Sequence, residues 1–70
     1  MFRHMRELRE DRDLKQKDLA EILQVHQTTY SDYELGKVTI PIPALIQLAK
    51  FYNTSIDYLV DYTDDPSPHP

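Results

Sequence analysis

A chain of 70 residues with 8 Lys+Arg, 12 Asp+Glu, one Gly, five Pro and no Cys has material for one small core and none for a second domain. The lack of Cys excludes a disulfide framework, a thiolate metal site and a cysteine nucleophile. The longest uncharged run, the twelve residues Val38 to Ala49, falls short of the roughly 18 apolar residues of a membrane helix. The opening MFRHMRELRED is charged throughout and carries no apolar block of a secretory signal. A cytoplasmic location with no membrane partner is therefore expected.

The formal charge of −4 opposes indiscriminate attraction to a polyanion, but its distribution is uneven. Residues 1–37 hold seven of the eight basic side chains (Arg3, Arg6, Arg9, Arg12, Lys15, Lys17, Lys37), while residues 38–70 hold only Lys50 against Asp57, Asp61, Asp64 and Asp65. An acidic protein can still present one locally basic face.

Along the chain, Phe2, Met5 and Leu8 recur at a helical step that the stretch Asp11 to Asp13 ends. Leu19, Ala20, Ile22 and Leu23 predict a second helix over about 16–23, stopping near Gln24. The segment QTTYSDYEL predicts a third over about 27–35, with Tyr30 and Tyr33 inward and Gly36 as a left-handed stop. Lys37 to Pro41 reads as an extended loop, because Val38, Thr39 and Ile40 are β-branched and proline restricts the residue before it. Pro43 fits the first turn of a fourth helix, along which Ile42, Leu45, Leu48, Ala49 and Tyr52 form a stripe. Ser55 is placed to cap a short fifth helix carrying Ile56, Leu59 and Val60, with Asp57 at its positive end. Residues 63–70, with three prolines in the last five positions, read as a disordered Pro-rich tail after a domain over 1–62. The expected core is Met5, Leu8, Leu19, Ala20, Leu23, Val25, Tyr30, Tyr33, Leu45, Leu48, Ala49, Ile56 and Leu59.

Two short helices with a tight turn and matched apolar offsets form the helix-turn-helix pattern. Gln16 to Leu35 (QKDLAEILQVHQTTYSDYEL), then Gly36 and Lys37, then LIQLAKFYNTSIDYL, resembles the lambda-repressor and Cro-like helix-turn-helix family of bacterial and phage transcription regulators. The resemblance covers about residues 2–60. It implies an all-α, compact five-helix fold and a sequence-specific DNA-binding regulator, most simply a repressor, with double-stranded DNA as partner.

Carried over by residue, the resemblance puts Gln27, Thr28, Ser31 and Asp32 toward base edges. Gln can pair with adenine, Thr can touch a thymine methyl, and Asp can accept from cytosine. Gln16, Lys17 and Lys37 fall at backbone-contacting positions. Arg9 and Glu34 align with an internal ion pair that ties the first helix to the third. Departures from the family pattern are Gln24 where Gly is usual, Lys15 and His26 where Ser or Thr usually cap, and Leu35 and Val38 where polar or basic residues often touch the backbone. These departures and the acidic balance leave a second reading open, a protein-interaction module of the same fold such as an antitoxin or anti-repressor.

Nothing in the sequence suggests an enzyme, a cofactor or a metal. His4, His26 and His69 are too far apart for a local ligand motif, and no Gly-rich phosphate loop is present. Because one recognition helix reads only a few base pairs, a weak homodimer reinforced on DNA is expected, with Ile56, Tyr58, Leu59 and Tyr62, beside Tyr52 and Val60, as surplus apolar surface for the contact.

Overall fold

Apolar spacing and stop signals are realised in five helices: α1 (Arg3–Asp11), α2 (Gln16–Leu23), α3 (Gln27–Leu35), α4 (Ile42–Tyr52) and α5 (Ile56–Leu59). This computed structural model describes residues 1–68, with no strand among them; Lys37 to Pro41 is a loop.

All five helices end in the same way. A residue with left-handed backbone stands just beyond each: Asp13 (φ 55°), Gln24 (φ 58°), Gly36 (φ 72°), Asn53 (φ 54°) and Asp61 (φ 62°). Its N–H donates to the carbonyl three residues back, and the next N–H donates five residues back, with all ten bonds between 2.8 and 3.3 Å. This paired closure satisfies carbonyls that the helix leaves open. Glycine adopts the geometry freely, and Asn and Asp tolerate it through local hydrogen bonding. Gln24 has neither excuse, and carries the backbone cost at the turn between α2 and α3.

The starting ends are treated individually. Ser55 Oγ accepts the Tyr58 N–H at 3.0 Å and caps α5. At α2, where Lys15 provides no cap, the Asp18 carboxylate reaches back to accept the Lys15 N–H at 2.8 Å, half of a capping box. The α1 start has no local cap. Its carboxylate comes from Asp61, whose two oxygens accept the N–H groups of Arg3 (2.7 Å) and His4 (2.9 Å). The left-handed turn after α5 aims that side chain, so the same residue closes one helix and caps another.

The core is built from every helix. Met5, Leu19, Tyr30, Leu48 and Leu59 are fully enclosed, with Ala20, Tyr33 and Leu45 nearly so. Ala20 belongs to α2, which packs most extensively on α3, where a small side chain lets two short helices approach. Leu8, Leu23, Val25, Ala49 and Ile56 are half-buried against this centre. Two hydrophobic residues outside the expected core are buried, Ile40, which pins the loop before α4, and Tyr52, together with the polar His4, Glu34, Thr54 and Ser55. Tyr52 is thus no part of any surplus surface.

Residues 63–68 depart from the expectation of a free tail. The Thr54 hydroxyl donates to the Pro66 carbonyl at 2.7 Å, and Asp64 Oδ1 lies 3.2 Å from His4 Nε2 and 3.6 Å from Arg3 Nη2. Polar contacts hold this segment, so an apolar pattern could not reveal it. His69 and Pro70, also counted in the tail, lie outside the described residues.

Candidate nucleic-acid interface

The sharp turn at Gln24 and Val25 sets α3 across α2 and brings the first residue of α2 beside the first two turns of α3. Gln16, Gln27, Thr28 and Ser31 line one cleft of about 310 Å³. Gln27 and Thr28 are exposed, whereas Gln16 and Ser31 are half-buried. The cleft offers two carboxamides and two hydroxyls, donors and acceptors alike, and no formal charge. Asp32 is half-buried and outside the cleft lining; Lys17 and Lys37 are exposed. Lys37 is anchored through its backbone, which donates to the Asp32 carbonyl at 2.9 Å. Leu35 and Val38 beside it are exposed apolar side chains.

Behind this face lies a buried ion pair. Arg9 Nε donates to Glu34 Oε2 at 2.7 Å and Arg9 Nη2 donates to Oε1 at 3.4 Å, with the two side chains 12% and 4% exposed. The third guanidinium contact, Nη1 to the Leu14 carbonyl at 3.0 Å, holds the α1–α2 turn. The hydrogen bond to Glu34 raises the Arg9 pKa above its ordinary value even though burial opposes it. Around the carboxylate sit two buried phenols, Tyr30 and Tyr52, and the Tyr52 hydroxyl has no hydrogen-bond partner among the described residues. Burial, reinforced by the Glu34 carboxylate, pushes Tyr30 strongly up and Tyr52 up to about 12.

A further polar cluster joins the two ends of the fold. His4 is buried in α1 and stacks on the Tyr58 ring with centroids 3.9 Å apart. Its Nδ1 lies 2.8 Å from the Tyr58 carbonyl; since a carbonyl only accepts, this nitrogen is the donor. Asp61 Oδ1 lies 3.0 Å from the same nitrogen. This cluster is not legible in the sequence, because His4 lies more than fifty positions from Tyr58 and Asp61. Among the described residues no group of three His, Cys, Asp or Glu side chains could hold a metal ion.

Of the residues expected at a dimer contact, Leu59 is withdrawn: it is fully buried in the core and has no surface to offer. A four-residue helix must spend its central apolar side chain on docking itself. Ile56 and Tyr58 are half-buried, and Tyr62 is 82% exposed.

A helix-turn-helix family model matches residues 5–59, which takes in most of α1 and all of α2 through α5. The chain belongs to the helix-turn-helix family. Within it, the chain is 36% identical over 64 residues to the uncharacterized HTH-type transcriptional regulator YobD of Bacillus subtilis (strain 168), covering 91% of this chain and 57% of that protein. It is 39% identical over 56 residues to the cryptic phage CTXphi transcriptional repressor RstR of Vibrio cholerae, covering 80% and 50%. The crystal structure of a transcriptional regulator from Listeria innocua superposes with a TM-score of 0.80 at 33% identity, over 90% of this chain and 59% of that one. This helix-turn-helix chain thus spans between half and three fifths of each relative's length. Among the described residues no helix is long and apolar enough to cross a membrane.

Proposed function

We propose that the protein is a sequence-specific DNA-binding regulator of transcription, a repressor by analogy with RstR, acting through α2 and α3. The observation that carries this reading is the cleft in which Gln16 of α2 meets Gln27, Thr28 and Ser31 of α3. Uncharged donors and acceptors at the start of the second helix of such a pair suit base edges in the major groove. Asp32, one turn further on, adds an acceptor for cytosine. Gln16, Lys17 and Lys37 contact the phosphate backbone, and the cytoplasm is the compartment this partner requires. The globular unit over residues 1–62 is the binding domain. A weak homodimer through Ile56, Tyr58 and Tyr62 places two such units on one palindromic site.

The test is selection of duplex from a randomised pool followed by salt-titrated binding of selected and random DNA. Two lysines per subunit predict a slope of log affinity against log salt of about −2 per bound subunit. Gln27→Ala and Thr28→Ala should erode preference for the selected sequence, whereas Gln16→Ala and Lys37→Ala should weaken binding to all duplexes. Failure to enrich any sequence, with no binding even at low salt, would refute the reading.

A further inference from the structure

We propose that Glu34 is a positioning residue for the Gln16 side chain, so that the buried ion pair sets the geometry of one wall of the α2–α3 cleft. Its consequence for DNA rests on the reading above; the placement itself rests on contacts within the chain.

Three donors converge on the Glu34 carboxylate. Arg9 Nε takes Oε2 at 2.7 Å. Oε1 is shared by Arg9 Nη2 at 3.4 Å and Gln16 Nε2 at 3.5 Å. The Gln16 bond marks Oε1 as the oxygen of the carboxylate that faces α2. Gln16 is the link between this buried network and the cleft, since it touches Glu34 on one side and lines the surface with Gln27, Thr28 and Ser31 on the other.

A glutamine at the start of a helix ordinarily samples several rotamers, and a ligand must pay to freeze them. Here one amide N–H is already engaged by Glu34, which leaves the second N–H and the amide oxygen for a partner in the cleft. Arg9 contributes twice. It neutralises the Glu34 charge, which would otherwise sit behind the amide and repel a phosphate, and through the Leu14 carbonyl it fixes the turn two residues before Gln16. Phe2 N–H donates to the Glu34 carbonyl at 2.8 Å, so the backbone that carries the carboxylate is held as well.

Removing the carboxylate alone strands Arg9 and risks the fold. The informative variant is therefore Arg9→Met with Glu34→Leu, an apolar replacement of a buried pair that leaves no charge unpaired. Nitrogen relaxation of the Gln16 side-chain amide in the free protein gives the direct readout. An amide ordered in the parent and mobile in the double variant, with α3 backbone amides unchanged, supports the proposal. Equal mobility in both overturns it.

The second arm measures affinity for the duplex that the parent enriches from a randomised pool. Gln16→Ala should weaken binding about three- to tenfold, the loss of one hydrogen bond, and the Arg9/Glu34 replacement should weaken it by up to about as much, the cost of ordering a freed side chain. Combined, they should be no worse than Gln16→Ala alone. Additive losses would show that the pair acts on DNA by another route and would overturn the coupling. A parent that enriches no duplex defeats the DNA reading instead, and the relaxation comparison still decides whether Glu34 holds Gln16.

Discussion

Replacing Asp61 tests whether α1 is capped from the far end of the chain. Its carboxylate accepts two first-turn N–H groups of α1, at 2.7 and 2.9 Å, and α1 has neither a local cap nor an acidic residue in its first turn. Loss of a capping side chain costs about 0.5–2 kcal/mol, and loss of a negative charge at a helix start costs about 0.3–1 kcal/mol. The side chain is 27% exposed, so the charge effect belongs at the lower end of that range. Asp61→Asn keeps one acceptor and the tolerance for left-handed backbone, and should lose about 1 kcal/mol. Asp61→Ala removes both acceptors and puts a Cβ-bearing residue without a local hydrogen bond at φ 62°, which raises the loss to about 2–3 kcal/mol. Asp61→Gly separates the two effects, because it relieves the backbone while deleting the cap, and should fall between them. Urea unfolding followed by circular dichroism reads all three, and in a domain this small about 1 kcal/mol moves the thermal midpoint by about 4–8 °C. Full stability in Asp61→Gly would refute the capping role.

Glu34→Ala should destabilise by about 3–5 kcal/mol, since it leaves Arg9 charged and largely buried; a double-mutant cycle with Arg9→Met that shows no coupling would exclude the pair as a structural lock. Gln24→Gly should stabilise by about 0.5–1 kcal/mol by relieving the left-handed turn, after the extra flexibility of glycine in the unfolded chain is subtracted, as read from the urea midpoint. Ala20→Leu should overpack the α2–α3 contact and cost about 1–3 kcal/mol, and an unchanged midpoint would place Ala20 elsewhere. Stability should fall in alkali: the Tyr52 phenol has its pKa raised to about 12 in the fold against about 10 in an unfolded chain. The unfolded state therefore releases its proton first, and about 2–3 kcal/mol is lost as pH rises from 10 to 12. Tyr52→Phe should reduce the slope of that part of a pH titration of unfolding without abolishing it, because the Tyr30 phenol is raised as well.

What the sequence disclosed was whatever repeats or punctuates. Met5 and Leu8, Leu19 to Leu23, and Leu45 to Tyr52 recur at helical spacing, so α1, α2 and α4 could be placed from pattern alone. Gly36 and Ser55 marked helix ends because each residue type does one thing well there. The helix α3 was harder to read, since QTTYSDYEL is mostly polar; two tyrosines and the resemblance to repressors located it. Contacts between distant polar groups were not legible at all. Asp61 on the α1 start, Asp64 beside His4, and Thr54 on Pro66 each join residues that share no register, and only the folded chain brings them together. The misplacement of Leu59 has a related cause: apolarity marks a residue as worth burying without saying whether its own core or a partner buries it.

The distribution of caps separates the helix starts into two kinds. The α1 start is closed by Asp61, the α5 start by Ser55, and Pro43 in the first turn of α4 removes one donor that would need a partner. At α2 the Asp18 carboxylate serves the Lys15 N–H and not the N–H groups of the first helical turn. At α3 His26 makes no side-chain cap. Among the described residues the starts of α2, α3 and α4 lack a side-chain cap; the first two belong to the helices of the proposed interface, and Gln16 and Gln27 stand directly at them. A consensus Ser or Thr at positions 15 and 26 would gain about 1 kcal/mol each but would occupy donors that a phosphate oxygen could otherwise take. Stability given up at the α2 and α3 starts is therefore consistent with their use in binding, while the α1 and α5 starts, away from the cleft, are closed by Asp61 and Ser55.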